Sequence, residues 1–170
     1  LIAAEMIAAG SDVPIETCLQ LFSSQDGYAT PKVDVRGVIF REGKILLVKE
    51  RSDGGWTLPG GWADVGETPS ECVEKEVLQE SGFEARAVKL LAVWDRERDP
   101  EAPLLPFSIY KLFFLCEIVG GEPKSSYETE AIEFFAEDEI PPLSLTRTTT
   151  RQIHRLFEHD RHRDLPCDFE

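Results

Sequence analysis

Between Gly61 and Phe83 the chain reads GWADVGETPSECVEKEVLQESGF, and its acidic side chains collect where a glycine-rich turn runs into a helical pattern. Glu76 and Glu80 stand four residues apart, so on a helix they stack one turn above the other. Like charges at that spacing destabilise a helix slightly and spread apart unless a cation lies between them. Hard divalent ions such as Mg²⁺ take oxygen ligands and keep part of their water shell, and one or two carboxylates hold them against phosphate oxygens. The chemistry within reach is therefore metal-assisted cleavage at phosphorus. Gln79 lies further out on the same side, and Glu67, just ahead of the helix, is placed to fold back over the patch. A surface helix with solvated acids is the plainer alternative. These acids sit at the edge of an apolar stripe beneath a glycine turn, which favours the metal.

The helix that must position them has a readable start and end. Thr68 and Glu71 form a capping box, Pro69 takes the first helical position, and Gly82 suits a left-handed C-cap. Val73 and Val77 make the inward stripe; at about 100° per residue, Glu80 falls beside it and Glu76 slightly further round. Upstream, Val33–Phe40 alternates with period two and the turn Arg41–Gly43 returns it along Lys44–Arg51, a hairpin. Trp56–Pro59 reads as a short strand feeding the glycine turn. Downstream, Glu84–Trp94 and Phe107–Ile118 read as long strands separated by a loop with Pro100, Pro103 and Pro106. Ala131–Phe135 is a further short strand, and Thr148–His159 a closing helix with Ile153, Leu156 and Phe157 inward. Near the start, Ile2, Met6, Ile15, Cys18, Leu19 and Phe22 recur at helical spacing around Gly10, Ser11 and Pro14. This predicts a small helical hairpin over residues 1–24, a candidate dimer contact, followed by a linker at 25–32 and a main domain at 33–165.

The Gly61–Phe83 segment resembles the Nudix hydrolase signature: glycine, five residues, glutamate, seven residues, then Arg-Glu-apolar-any-Glu-Glu-any-Gly-apolar. Gly61, Glu67, Glu76, Val77, Glu80, Gly82 and Phe83 fit it, while Lys75 stands where the pattern has arginine and Gln79 where it has glutamate. The likeness runs from about Pro31 to Leu143 and is strongest to the branch with a helical N-terminal extension. It implies an α/β fold, a Nudix-type α/β/α sandwich with a mixed sheet. It also implies Mg²⁺-dependent hydrolysis of a nucleoside diphosphate linked to another group, CDP-choline or ADP-ribose among them, with Mn²⁺ as substitute. By the same resemblance Glu76 and Glu80 are the principal metal ligands, the Gly60 carbonyl is a backbone ligand, and Glu67 supports the site. Gln79 would bind through a neutral amide oxygen, removing one negative charge, and Lys75 offers a point charge in place of a planar fork. A nucleotide-metabolite sensor on the same fold, binding without cleavage, is the alternative.

The remaining roles fall outside the signature. A general base must reach a water near the metal, and Glu128 and Glu130 are the candidates, with Glu97 and Glu101 on the proline loop as alternatives. Arg36 and Arg51, at or near strand ends, are candidates to hold a phosphate. Trp62, followed by Trp94, Phe107 and Tyr110, could stack a base. A net charge of −14 over 170 residues speaks against a long nucleic acid. Arg147, Arg151 and Arg155 form one basic stripe, read first as a solvated helix face and second as an RNA contact. No apolar run approaches the roughly 18 residues of a membrane span, no secretory leader is read, and the four scattered cysteines lack C-x-x-C spacing. The expectation is a cytoplasmic protein with reduced thiols, acting on a small nucleotide derivative, and a homodimer.

Overall fold

The computed structural model describes residues 15–16, 30–105 and 107–170. The chain divides into two units, Leu1–Thr30 and Pro31–Glu170, and every element below lies in the second. The helical module expected at 1–24, apart from Ile15 and Glu16, lies outside the described residues, as does most of the linker.

Strand β1 (Lys32–Val38) places Val35 and Gly37 on one face and Asp34, Arg36 and Val38 on the other, as period two requires. It ends one residue before the short β2 (Phe40–Arg41), which turns through Glu42 and Gly43 into β3 (Lys44–Glu50). Both turn residues have positive φ, 52° and 73°. β3 also pairs antiparallel with β4 (Trp56–Thr57) and with β7 (Thr129–Phe135). The second sheet joins β1, β6 (Ile109–Gly121), β5 (Phe83–Asp95) and β8 (Asp168–Phe169) in the order β1-β6-β5-β8. It is mixed: β1 runs parallel to β6, β5 antiparallel to β6, and β8 parallel to β5.

Helix α1 (Pro69–Ser81) has the predicted capping box, with Thr68 and Glu71 satisfying each other's backbone N–H. Gly82 closes it at φ 76°, its N–H donating to Leu78 O. Helix α2 (Thr150–Arg161) starts later than expected, because Thr149 and not an earlier residue makes the cap, bonding Gln152 N–H. The two helices cover opposite faces of the strands. Cys72, Val73 and Val77 of α1 pack with Val35, Leu46, Phe114 and Cys116. Ile153, Leu156 and Phe157 of α2 pack with Val38, Leu47, Phe113 and Leu115. Alternate residues of β6 thus feed both cores, which is the expected layering of sheets between helices. Fully burying one such aliphatic side chain stabilises by about 1.5–3 kcal/mol. Gly37 is what lets α1 lie this close to β1, since a Cβ there would fall 2.5 Å from Val77 Cγ2.

Cys72, Cys116 and Cys167 are free. Among the described residues no helix is long and apolar enough to cross a membrane.

Candidate active site

The turn from β4 into α1 brings the acidic helix face to a cleft of about 540 Å³. Gly60 adopts φ 144°, and a Cβ there would lie 2.0 Å from Val35 O, so only glycine fits. This close passage over β1 is locked by hydrogen bonds from Val35 N–H to Gly61 O and from Gly37 N–H to Pro59 O. It aims the Gly60 N–H at Glu80, whose Oε2 accepts at 2.8 Å. Glu80 is 5% exposed. Burial pushes its carboxyl up to about 8, while the Arg36 charge and the Gly60 N–H pull the other way. Glu76, one turn earlier, is half-buried, and burial raises it too. Its carboxylate lies against Gly61, 3.1 Å from where a Cβ would sit. Two stacked carboxyls with charge suppressed by burial form a site that gains most from a cation.

Among the described residues, no three His, Cys, Asp or Glu side chains converge as a ready-made metal cage. Mg²⁺ needs only one or two protein carboxylates and completes its shell with water and substrate. One observation fits such an ion: Glu67 Oε2 is buried without a hydrogen-bond partner. Its other oxygen accepts from Lys75 Nζ at 2.9 Å, and Lys75 also bonds Asp64 at 2.7 Å. Lysine thus ties down two acids of the turn without a guanidinium fork. Gln79 is exposed at the cleft rim.

Glu128 and Glu130 part company. Glu128 lines the cleft; burial raises Glu50 as it does Glu76, and the nearby Glu128 charge adds to both. Glu130 instead pairs with Lys49 outside the cleft. The cause is a bulge: Lys49 registers with Ala131 and Glu50 with Thr129, so Glu130 is skipped. Thr129 Oγ1 then donates to Glu80 O at 2.7 Å, tying β7 to α1. Glu97 and Glu101 lie elsewhere: Glu97 accepts from Ser108 Oγ, and Glu101 accepts from the first N–H groups of α2. Arg51 is likewise not in the cleft; its N–H bonds Glu128 O at 2.9 Å and its side chain Ser126 O, bracing the loop that presents Glu128.

Trp62 and Phe107 line the cleft mouth with ring centroids 6.1 Å apart, and Lys32 Nζ lies over both rings. Tyr110 is exposed away from the cleft, and Trp94 packs on Phe113. Arg36 is in the cleft wall, paired with Asp34 through two N–H donors at 2.9 and 2.6 Å. The basic stripe does not survive as one face. Arg147 precedes α2 and pairs with Glu50 at 3.3 Å in the cleft, and Arg155 holds Asp168.

Asp34, Glu50 and Lys111 are cleft residues with no counterpart among the expectations. A signal existed for two of them: Asp34 and Lys111 are single charges inside the apolar runs VDVRGV and IYKLFF. A larger cavity of about 730 Å³ lies apart, lined by Trp94, Arg151, Arg155 and Asp168, without the acids of α1.

A NUDIX domain model matches residues 30–157. The chain belongs to the NUDIX family. It is 42% identical to the Bacillus subtilis (strain 168) protein called "Putative ADP-ribose pyrophosphatase YjhB", over 99% of this chain and 81% of that one. Against the ADP-ribose pyrophosphatase of Methanocaldococcus jannaschii it is 33% identical over 69% of each chain. Among solved structures, an ADP-ribose pyrophosphatase from Streptococcus suis superimposes with a TM-score of 0.75 at 40% identity, covering 83% of this chain and all of that one. Like these NUDIX relatives, the chain is a pyrophosphohydrolase acting on nucleotide derivatives.

Proposed function

We propose that the chain hydrolyses the pyrophosphate bond of ADP-ribose, giving AMP and ribose 5-phosphate, with Mg²⁺ or Mn²⁺ as cofactor. The observation that carries this reading is the buried Glu80, fixed by the Gly60 N–H beside Glu76 in a cleft that Glu128 faces. The substrate rests on the ADP-ribose pyrophosphatases among the relatives. Glu76 and Glu80 supply carboxylates to the metal, with the Gly60 carbonyl, Glu67 and Gln79 around them. When bound, the divalent ion neutralises charge on the diphosphate and acidifies a water. Glu128, which lines the cleft, accepts the proton of the attacking water. Arg36 balances charge on the diphosphate from the cleft wall, while Trp62 and Phe107 offer an aromatic surface to the base.

A chromatographic assay of nucleoside monophosphate release (AMP, CMP or UMP) from a panel of ADP-ribose, CDP-choline and a UDP-linked sugar, with and without Mg²⁺, tests the reading. ADP-ribose should have the highest kcat/KM. The UDP-linked member belongs in the panel because a UDP-X diphosphatase superimposes with a TM-score of 0.78 at 32% identity, over 99% of this chain and 81% of that one. Glu80→Gln should lose on the order of a hundredfold or more in kcat, the scale seen when an electrostatic group is removed from a reacting centre, with the fold intact by circular dichroism. A folded variant of near-normal rate would reject the assignment.

A further inference from the structure

The cleft has a second, oppositely charged wall. On β1, Asp34 and Arg36 are two residues apart and share a face; on β6, Lys111 is the register partner of Asp34. Arg96, in the 3-10 turn Arg96–Arg98 that follows β5, stands behind Thr146, a lining residue, with its Nε bonded to Thr146 O at 3.3 Å. Arg36, Lys111 and Arg96 are 4%, 2% and 3% exposed. Asp34 pairs with both Arg36 and Lys111, while Arg96 feels the charges of Asp34, Asp99 and Glu97 at longer range. Glu80 and Glu50 act on Arg36 only at longer range, and Glu50 is engaged by Arg147.

A structural ion cluster would complete its hydrogen bonds, because a buried group without a partner is costly. Arg36 donates to Asp34, Thr57 Oγ1 and Leu58 O, but its two neighbours leave donors over. Arg96 Nη2 is buried with no partner, and of the three donors on Lys111 Nζ, one goes to Asp34. Arg36 and Lys111 nevertheless line the open cleft, where a ligand can reach them. The missing partner is a hydrogen-bond acceptor, and the position shares its cavity with the acids of α1.

We propose that Arg36 and Lys111, backed by Arg96, form an anion subsite that holds one phosphoryl group of the substrate without help from the metal. The inference rests on the pyrophosphohydrolase reading for its substrate, and it adds that the diphosphate is gripped from two sides: by the metal on α1 and by fixed cations on β1 and β6. Protonation supports it. Burial pulls the Lys111 ammonium down to about 8, with Asp34 opposing and Arg36 and Arg96 assisting. These are the charged groups that face it from β1 and the 3-10 turn. A bound dianion raises that value, so binding takes up a proton at alkaline pH and weakens as pH rises past 8.

Isothermal titration of inorganic phosphate into the full chain in EDTA separates this subsite from the metal site. Wild type should bind phosphate at pH 7.5 and lose about tenfold in affinity by pH 9.5. Lys111→Met should weaken binding at pH 7.5 at least tenfold and remove most of the pH dependence, the remainder coming from Glu80, which is raised to about 8 by burial in the same cleft. Arg96→Leu, which leaves the Asp34 pairs intact, should weaken it by about threefold and stands in if Lys111→Met does not fold. No phosphate binding by wild type, or equal binding by both cation variants, overturns the subsite even where AMP release proceeds normally. Binding with these dependences supports the subsite even in a chain that releases no AMP.

Discussion

At the scale of residues, the site turns on how much negative charge α1 offers to a cation. Glu76 and Glu80 are raised by burial, so each must ionise against its surroundings before it can serve as a ligand. Gln79 contributes no charge, although it sits at the rim of the same cleft. Gln79→Glu should therefore lower the Mg²⁺ concentration for half-maximal rate by about threefold to tenfold, because affinity follows the ligand charge count. A superimposable Mg²⁺ titration for the two proteins would show position 79 to be outside the metal shell. The acids of α1 were legible because helical spacing is local: a period of 3.6 places Glu80 beside Val77 without knowledge of any other element. Asp34, Lys111, Glu50 and Arg147 were not, since they meet only when β1, β3, β6 and the segment before α2 come together. The choice between Glu128 and Glu130 was beyond reach for a related reason. A bulge opposite Lys49 and Glu50 decides it, and neither sequence stretch carries a mark of that pairing.

At the scale of elements, α1 was readable from its caps, α2 from its inward Ile153, Leu156 and Phe157, and β1 from alternation, while the last strand was not. β8 is two residues long, and one of them is Asp168; nothing in that stretch alternates. It is held by its partners. Arg155 of α2 donates to Asp168 at 2.5 and 2.7 Å, and His159 Nε2 lies 3.2 Å away. The Arg155 hydrogen bonds hold the Asp168 carboxyl below the usual carboxylate range, with burial opposing them. A depressed folded-state value means the unfolded chain binds the proton more readily, so stability rises with pH across the window. The contribution is complete above an ordinary aspartate value of about 3.9 and disappears as pH falls through the lower, folded-state value. Asp168→Asn should thus be less stable than wild type in urea at pH 7, with the gap closing at the acid end of the range, below about 3.9. A gap that stays constant down to that acidity would mean the carboxylate is not tied to folding through its charge.

At the scale of the whole molecule, two electrostatic effects oppose one another. A net charge of −14 repels an anionic nucleotide over long distances, whereas the cations of the cleft wall attract it once it has entered. Salt weakens both, but unequally. Long-range repulsion acts through solvent, where the screening length is about 8 Å at physiological ionic strength, and buried charges are screened much less. Arg36 and Lys111 are buried, so their attraction persists while the repulsion fades. At a fixed, saturating Mg²⁺ concentration, raising potassium chloride from roughly 20 to roughly 150 mM should increase kcat/KM for ADP-ribose by about twofold or more. The gain should appear in KM, because the reacting groups lie inside the cleft and salt leaves them alone. Enzymes that steer anions with exposed basic surfaces show the opposite dependence. A fall in kcat/KM over this range would mean that the approaching substrate meets the exposed Lys32 beside Trp62 and Phe107 before it experiences the charge of the chain as a whole.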